Sequence, residues 1–107
     1  MIEIKIKPLS VNECFQGRRF KTPKYKSYEI EALLKLPKLV IPQGKLKVVY
    51  EFGLSNVLAD YDNIIKPFQD ILQKKYGFSD ANIWEAEIRK IKVDKGNEFI
   101  RFEITEI

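Results

Sequence analysis

The stretch PQGKLKVVYEFG, residues 42–53, decides the fold. Pro42–Gly44 has the composition of a turn, and the residues after it alternate, with Leu46, Val48, Tyr50 and Phe52 on one face. Side chains along a strand point to opposite sides in turn, so a period of two marks a strand with one buried face. Immediately downstream, LADYDNIIKPFQDIL (58–72) changes period: Ile64, Ile65, Phe68, Ile71 and Leu72 form the apolar stripe of a helix. Lysines in KKYG and Gly77 close it. Proline is comfortable only in a first turn, so Pro67 predicts a helix starting around Asn63–Ile65, capped by Asp62 or Asn63.

Outward from this pair the pattern extends in both directions. Ile2, Ile4 and Ile6 alternate with Glu3, Lys5 and Lys7 as a strand that Pro8 ends. SVNECFQGRRFKTPKYK reads as a polar, basic, aromatic loop. YKSYEIEALLKL then places Tyr28, Ala32, Leu33 and Leu36 on one side of a helix that Pro37 stops. SDANIWEAEIRKIKV gives a turn and a long strand, DKGN a tight connection, and EFIRFEITEI a last strand with Ile100, Phe102 and Ile104 facing one way. The last two strands are expected to form a hairpin. The order β-α-β-α-β-β predicts a single α+β domain over residues 1–107. Its four-stranded sheet is mixed or mostly antiparallel and carries two helices.

Composition excludes much chemistry. The chain has no histidine and a single cysteine, Cys14, so Ser-His-Asp triads, Cys-His pairs and zinc sites built on His or Cys are ruled out. With no export signal and no disulfide framework, a reducing cytoplasm is the expected location. No apolar run reaches the length of a membrane span. Net charge is +4, unevenly spread: residues 1–50 hold eleven Lys/Arg and four Asp/Glu, residues 51–107 eight and eleven. The basic first half suggests a polyanionic partner.

The acidic residues are candidates for a site. Asp60 and Asp62 lie two apart between a strand and a helix, and in an extended segment both would face the same side. Lys66 and Asp70 continue the face of Asp62 at four-residue spacing. Asp80 precedes the third long strand and adds a third carboxylate if its loop returns to the same sheet end. Three oxygen donors plus water suit Mg²⁺, with Mn²⁺ an acceptable substitute. Taken singly, the same residues are ordinary caps, ion pairs and turn starters. GRRFKTPKYK places Arg18, Arg19, Lys21, Lys24 and Lys26 among Phe20 and Tyr25, a composition suited to phosphates and exposed bases. A solvated loop whose aromatics anchor it to the core is the plainer alternative. Carboxylates beside such a loop repel phosphate unless a cation bridges them.

PLSVN after the first strand, GRRFKTPKYKSY, DYDNIIKPFQDIL and SDANI together resemble the RusA family of Holliday junction resolvases, particularly its small phage and prophage members. The resemblance spans Pro8 to the last strand. It implies that Asp60, Asp62 and Asp80 are metal-binding catalytic aspartates and Lys66 the catalytic lysine. Asn63 and Asp70 also match the motif, and Ser10, Val11 and Asn12 match a segment near the active site. Where family members often carry two adjacent acids, this chain has Ser79 and Asp80. The resemblance further implies a homodimer, in a bacterial host or prophage-encoded, that binds four-way DNA junctions and nicks them symmetrically by Mg²⁺-dependent phosphodiester hydrolysis. A nuclease for other branched DNA, or a non-catalytic junction-binding module, are the alternatives.

Overall fold

The computed structural model describes residues 1–107 except 17–19, 57 and 59, and Gln16 by its backbone alone. In chain order the elements are β1 (Ile2–Ile4), β2 (Phe15–Gln16), β3 (Phe20–Lys21), α1 (Pro23–Lys35), β4 (Leu46–Leu54), α2 (Tyr61–Tyr76), β5 (Ile83–Lys92) and β6 (Phe99–Glu106). β4 is central, parallel to β5 on one side and antiparallel to β6 on the other, and β1 lies outside β6. The expected α+β class, with two helices on a four-stranded, mostly antiparallel mixed sheet, is therefore observed. The alternation read in β4 is real: Leu46, Val48, Tyr50 and Phe52 are all fully buried.

The expected hairpin of the last two strands does not form. β6 inserts between β1 and β4, and β5 takes the far side of β4. Composition explains the order. β6 buries Phe99, Ile100 and Phe102, whereas no residue of β5 is buried, so the apolar strand takes the interior position. The connection crosses the end of β4 and is tied there. Val93 N–H donates to the Leu54 carbonyl (2.9 Å), Ser55 Oγ to Glu98 (2.7 Å), and the Lys92 ammonium to the Ser55 carbonyl. Gly96, at φ +97°, supplies the left-handed residue of this turn.

Both helices start earlier than their apolar patterns suggest. Thr22 caps α1 by accepting from Tyr25 N–H (3.2 Å), and Pro23 sits at the first helical position, where its missing N–H costs nothing. Lys24 and Lys26 thus stand on α1, not in a loop. α2 begins at Tyr61 with Asp60 at the cap position, so Pro67 falls inside the helix. An interior proline costs about 3 kcal/mol. Burial of Ile64, Phe68, Ile71 and Leu72 against the sheet outweighs it. Gly77, at φ +73°, ends the helix, its N–H on the Gln73 carbonyl (2.8 Å).

The face of the sheet away from the helices has its own features. Gly53 lies under the ring of Phe99, and a Cβ there would stand 2.4 Å from two ring carbons. Phe99 is buried, with Arg101 over its ring at 4.1 Å. Gly53→Ala is therefore expected to cost about 1–3 kcal/mol by overpacking. Urea denaturation of the two proteins measures it, and an unchanged midpoint would mean that Phe99 moves aside freely.

On the same face an alternating row crosses all four strands. Glu3, Arg101, Glu51 and Arg89 are successive cross-strand partners, joined at 2.7, 3.3 and 2.9 Å. The Arg89 guanidinium, with Arg101 beside it, holds the Glu51 carboxyl below its ordinary value of 4.5. A depressed carboxylate stabilises the fold above the unfolded-state value, and that contribution is lost as pH falls through the lower folded-state value. Glu51→Gln should therefore lower stability near neutrality, and the gap from wild type should close as pH drops below 4.5. Denaturant midpoints across that range check it; a gap independent of pH would remove the role of ionisation.

Candidate functional site

α2 and the turn before β5 bring three of the candidate residues, Lys66, Asp70 and Asp80, together. Lys66, on the second turn of α2, is the pivot. Its ammonium lies 2.8 Å from Asp70, one turn further along the same face, and 3.7 Å from Asp80. Asp80 gets there because Ser79 and the short 3₁₀ turn Asp80–Asn82 carry the chain back alongside α2. Ser79 Oγ accepts from Ala81 N–H at 3.2 Å, and Asp80 N–H donates to Gln73 Oε1 at 2.8 Å. Gln73 in turn faces Asp70 with its amide at 3.4 Å. The Asp70 carboxylate first, and Asp80 with it, hold the Lys66 ammonium above the ordinary lysine range, so it stays charged.

Gln73 is the member that sequence reading missed. It sits three residues after Asp70 on the same helix face and joins that face to the Asp80 turn. Its i,i+3 spacing was the available signal.

Asp60 and Asp62 stand at the start of α2, both exposed. The Asp60 carboxylate makes no cap hydrogen bond, although Asn63 N–H bonds the Asp60 carbonyl at 3.1 Å. The premise that both carboxylates face one side fails, however. Asp62 is helical, and a helix turns about 100° per residue, so the strand-type alternation does not apply. Among the described residues, no group of three or more His, Cys, Asp and Glu is close enough to hold a metal ion. The donor set does fit a hard cation in kind, being all carboxylate. Asp62 lies one helical turn, about 6 Å, from Lys66.

The other predicted residues are distributed differently. Asn12 is exposed on the 3₁₀ turn Val11–Glu13, which packs against α2. Asn63 is half-buried in the first turn of α2. Arg18 and Arg19 lie outside the described residues. Lys21 pairs with Glu29 (3.3 Å) and lies over the Tyr25 ring at 5.1 Å; Lys24 pairs with Glu13 (3.5 Å). Lys26 is exposed on α1. Of the two aromatics, Phe20 is 75% exposed, but Tyr25 is buried and packs edge-on to Phe15 at 5.6 Å. Tyr25 is therefore an anchor and not a stacking surface. Burial pushes the Cys14 thiol up to about 11, its Sγ donating to the Ser10 carbonyl at 3.1 Å, so it is a structural group. Among the described residues, no helix is long and apolar enough to cross a membrane. No family model matches the chain, and no curated protein matches it.

Proposed function

We propose that the chain is a metal-dependent endodeoxyribonuclease of the RusA type, cutting four-way DNA junctions by phosphodiester hydrolysis as a homodimer in a bacterial or prophage-encoded cytoplasmic setting. The observation that carries the reading is the convergence of Lys66, Asp70 and Asp80 beside a helix start that exposes Asp60 and Asp62. Asp60, Asp62 and Asp80 would hold Mg²⁺, or Mn²⁺ in its place. Such an ion supplies an activated water and neutralises charge on the phosphate.

The remaining roles belong to the chain. The Lys66 ammonium, kept charged by its two carboxylates, stabilises negative charge developing on the phosphate oxygens. Gln73 and Asp70 position Lys66 and the Asp80 turn. Lys21, Lys24 and Lys26, with Arg18 and Arg19, grip the DNA backbone, which gives selectivity for shape over sequence.

Incubating labelled synthetic four-way junctions with the protein in Mg²⁺ or EDTA, beside Asp62→Asn, tests this. Paired symmetric nicks that need Mg²⁺ and vanish in Asp62→Asn, with binding retained, support it. Tight binding without cleavage in Mg²⁺, or in Mn²⁺ added in its place, would make the chain a junction-binding module in which Lys66–Asp70–Asp80 is only an ion-pair cluster. Stronger cutting of forks or flaps would redirect the substrate assignment.

A further inference from the structure

Leu36 caps α1 in an extended conformation ahead of Pro37, and the next element, β4, begins only at Leu46. In the segment between, Ile41 is half-buried, but Leu39 is 36% and Val40 97% exposed. The segment runs beside the last turn of α2 and is tied to it. Tyr76 Oη donates to the Pro37 carbonyl at 2.6 Å, and the Lys75 ammonium to the Leu33 carbonyl at 3.5 Å. Between the two walls lies a groove of about 520 Å³, lined by Lys38, Leu39, Val40, Lys75 and Tyr76. That is the size of a ligand-binding cleft.

The charge of the groove is one-sided. No carboxylate lines it. The lysines next along each helix are already matched, Lys35 to Glu31 at 2.7 Å and Lys74 to Glu29 at 3.1 Å. Among the described residues, neither Lys38 nor Lys75 has a carboxylate partner. Leu39 and Val40 also line a second hollow, of about 300 Å³, with Met1 and Ile41; its one carboxylate is Glu103. The apolar ridge thus has two ammoniums on one side and a carboxylate on the other.

We propose that this groove binds a short acidic segment of a partner protein. An apolar side chain of the segment packs against Val40 and the Tyr76 ring, and its carboxylates meet Lys38 and Lys75. Charge selects this occupant. A two-fold contact with a second copy would set Lys38 and Lys75 against the same ammoniums. Nucleic acid wants rings to stack on and a polar surface, whereas the most exposed residue here is aliphatic. The contact area is small, so the binding is weak and falls as salt rises.

The inference does not rest on the nuclease reading, and a failed cleavage assay leaves it standing. Fluorescence anisotropy of the full chain with the labelled synthetic peptide DEDLIDF tests it. Two further peptides separate the contributions: DEDSGDS keeps the charge alone, and KRKLIKF keeps the apolar residues with opposite charge. DEDLIDF should bind at least about tenfold more tightly than either. Val40→Asp should weaken it by a similar factor, and at so exposed a position the fold tolerates the change. The pair Lys38→Glu with Lys75→Glu should reverse the preference, taking KRKLIKF over DEDLIDF; a merely structural role for these lysines would not do so. Circular dichroism checks that the pair is folded, and if it is not, Lys38→Glu and Val40→Asp decide. Absence of DEDLIDF binding at millimolar concentration, or binding that Val40→Asp leaves intact, would overturn the proposal. So would self-association of the wild type that Val40→Asp abolishes, which would give the groove to a second copy, or displacement of the peptide by duplex DNA, which would place its charge on a nucleic-acid surface.

Discussion

On the nuclease reading proposed above, Lys66→Met is expected to leave the fold almost untouched and to lower junction cleavage by about a hundred- to a thousandfold, the loss typical when a donor aimed at transition-state charge is removed. The two halves of this expectation come from the same geometry. Lys66 is exposed, and its partners Asp70 and Asp80 are exposed or half-exposed, so water screens the pairs. Exposed ion pairs contribute roughly 0–1 kcal/mol, and methionine keeps the stem and the helix propensity. A denaturation midpoint close to wild type is therefore expected. Activity responds differently because a phosphate in the site would meet Lys66 with its charge fixed by two carboxylates. Removing the ammonium also leaves Asp70 and Asp80 beside one another, adding repulsion where an anionic phosphate must approach. Single-turnover cleavage of a bound junction separates this from loss of affinity. The rate of Lys66→Met should fall while the dissociation constant changes far less. Lys66→Arg should recover part of the rate, since charge is kept but the point ammonium becomes a planar fork. Cleavage equal to wild type in Lys66→Met would reduce the Lys66–Asp70–Asp80 cluster to a surface ion-pair network.

What could be read from the sequence divides along the distance over which each signal acts. The alternation of Leu46, Val48, Tyr50 and Phe52 and the stripe Ile64–Phe68–Ile71–Leu72 depend only on local period, and both appear as read. The Lys66–Asp70 pair is equally local, a contact fixed by one helical turn. Strand order is not local. DKGN is short enough for a hairpin, yet the chain carries β6 across the end of β4, because the burial of Ile100 and Phe102 is decided by the whole sheet. Pro67 misled in a similar way, since a backbone penalty was set against packing that only the folded core reveals. That misplacement propagated. A helix starting at Asn63 would have left Asp60 and Asp62 extended and facing one side, whereas a start at Tyr61 turns Asp62 away from the strand pattern. Tyr25 was ambiguous for a different reason: an aromatic among lysines has one composition whether it anchors or stacks, and only its burial separates the two.

Phe68→Ala is expected to cost about 3–5 kcal/mol, the range for deleting a large aromatic from a closed core. Phe68 is fully buried and stands edge-on to Tyr50, Phe52 and Phe102, with ring centroids 6.1, 6.4 and 5.7 Å away. Those three rings come from β4 and β6, the two interior strands, so Phe68 is where α2 is held to the centre of the sheet. The site cannot collapse easily around alanine, because sheet hydrogen bonds fix the positions of the neighbouring rings. In a domain of this size each kcal/mol moves the melting temperature by about 4 °C or more, so a fall of at least ~12 °C should be seen by calorimetry. Phe20→Ala is the matching control: that ring is 75% exposed and its loss should stay within about 0.5 kcal/mol. Phe68 also lies between Lys66 and Asp70 in the chain, so the substitution connects stability to the candidate site. If α2 merely needs to be present, Phe68→Ala should cleave normally at temperatures where it remains folded. If the sheet-facing anchor sets the placement of Lys66 against Asp80, cleavage should fall below wild type well before the melting transition, and Phe68→Leu, which refills most of the volume, should restore both rate and stability together.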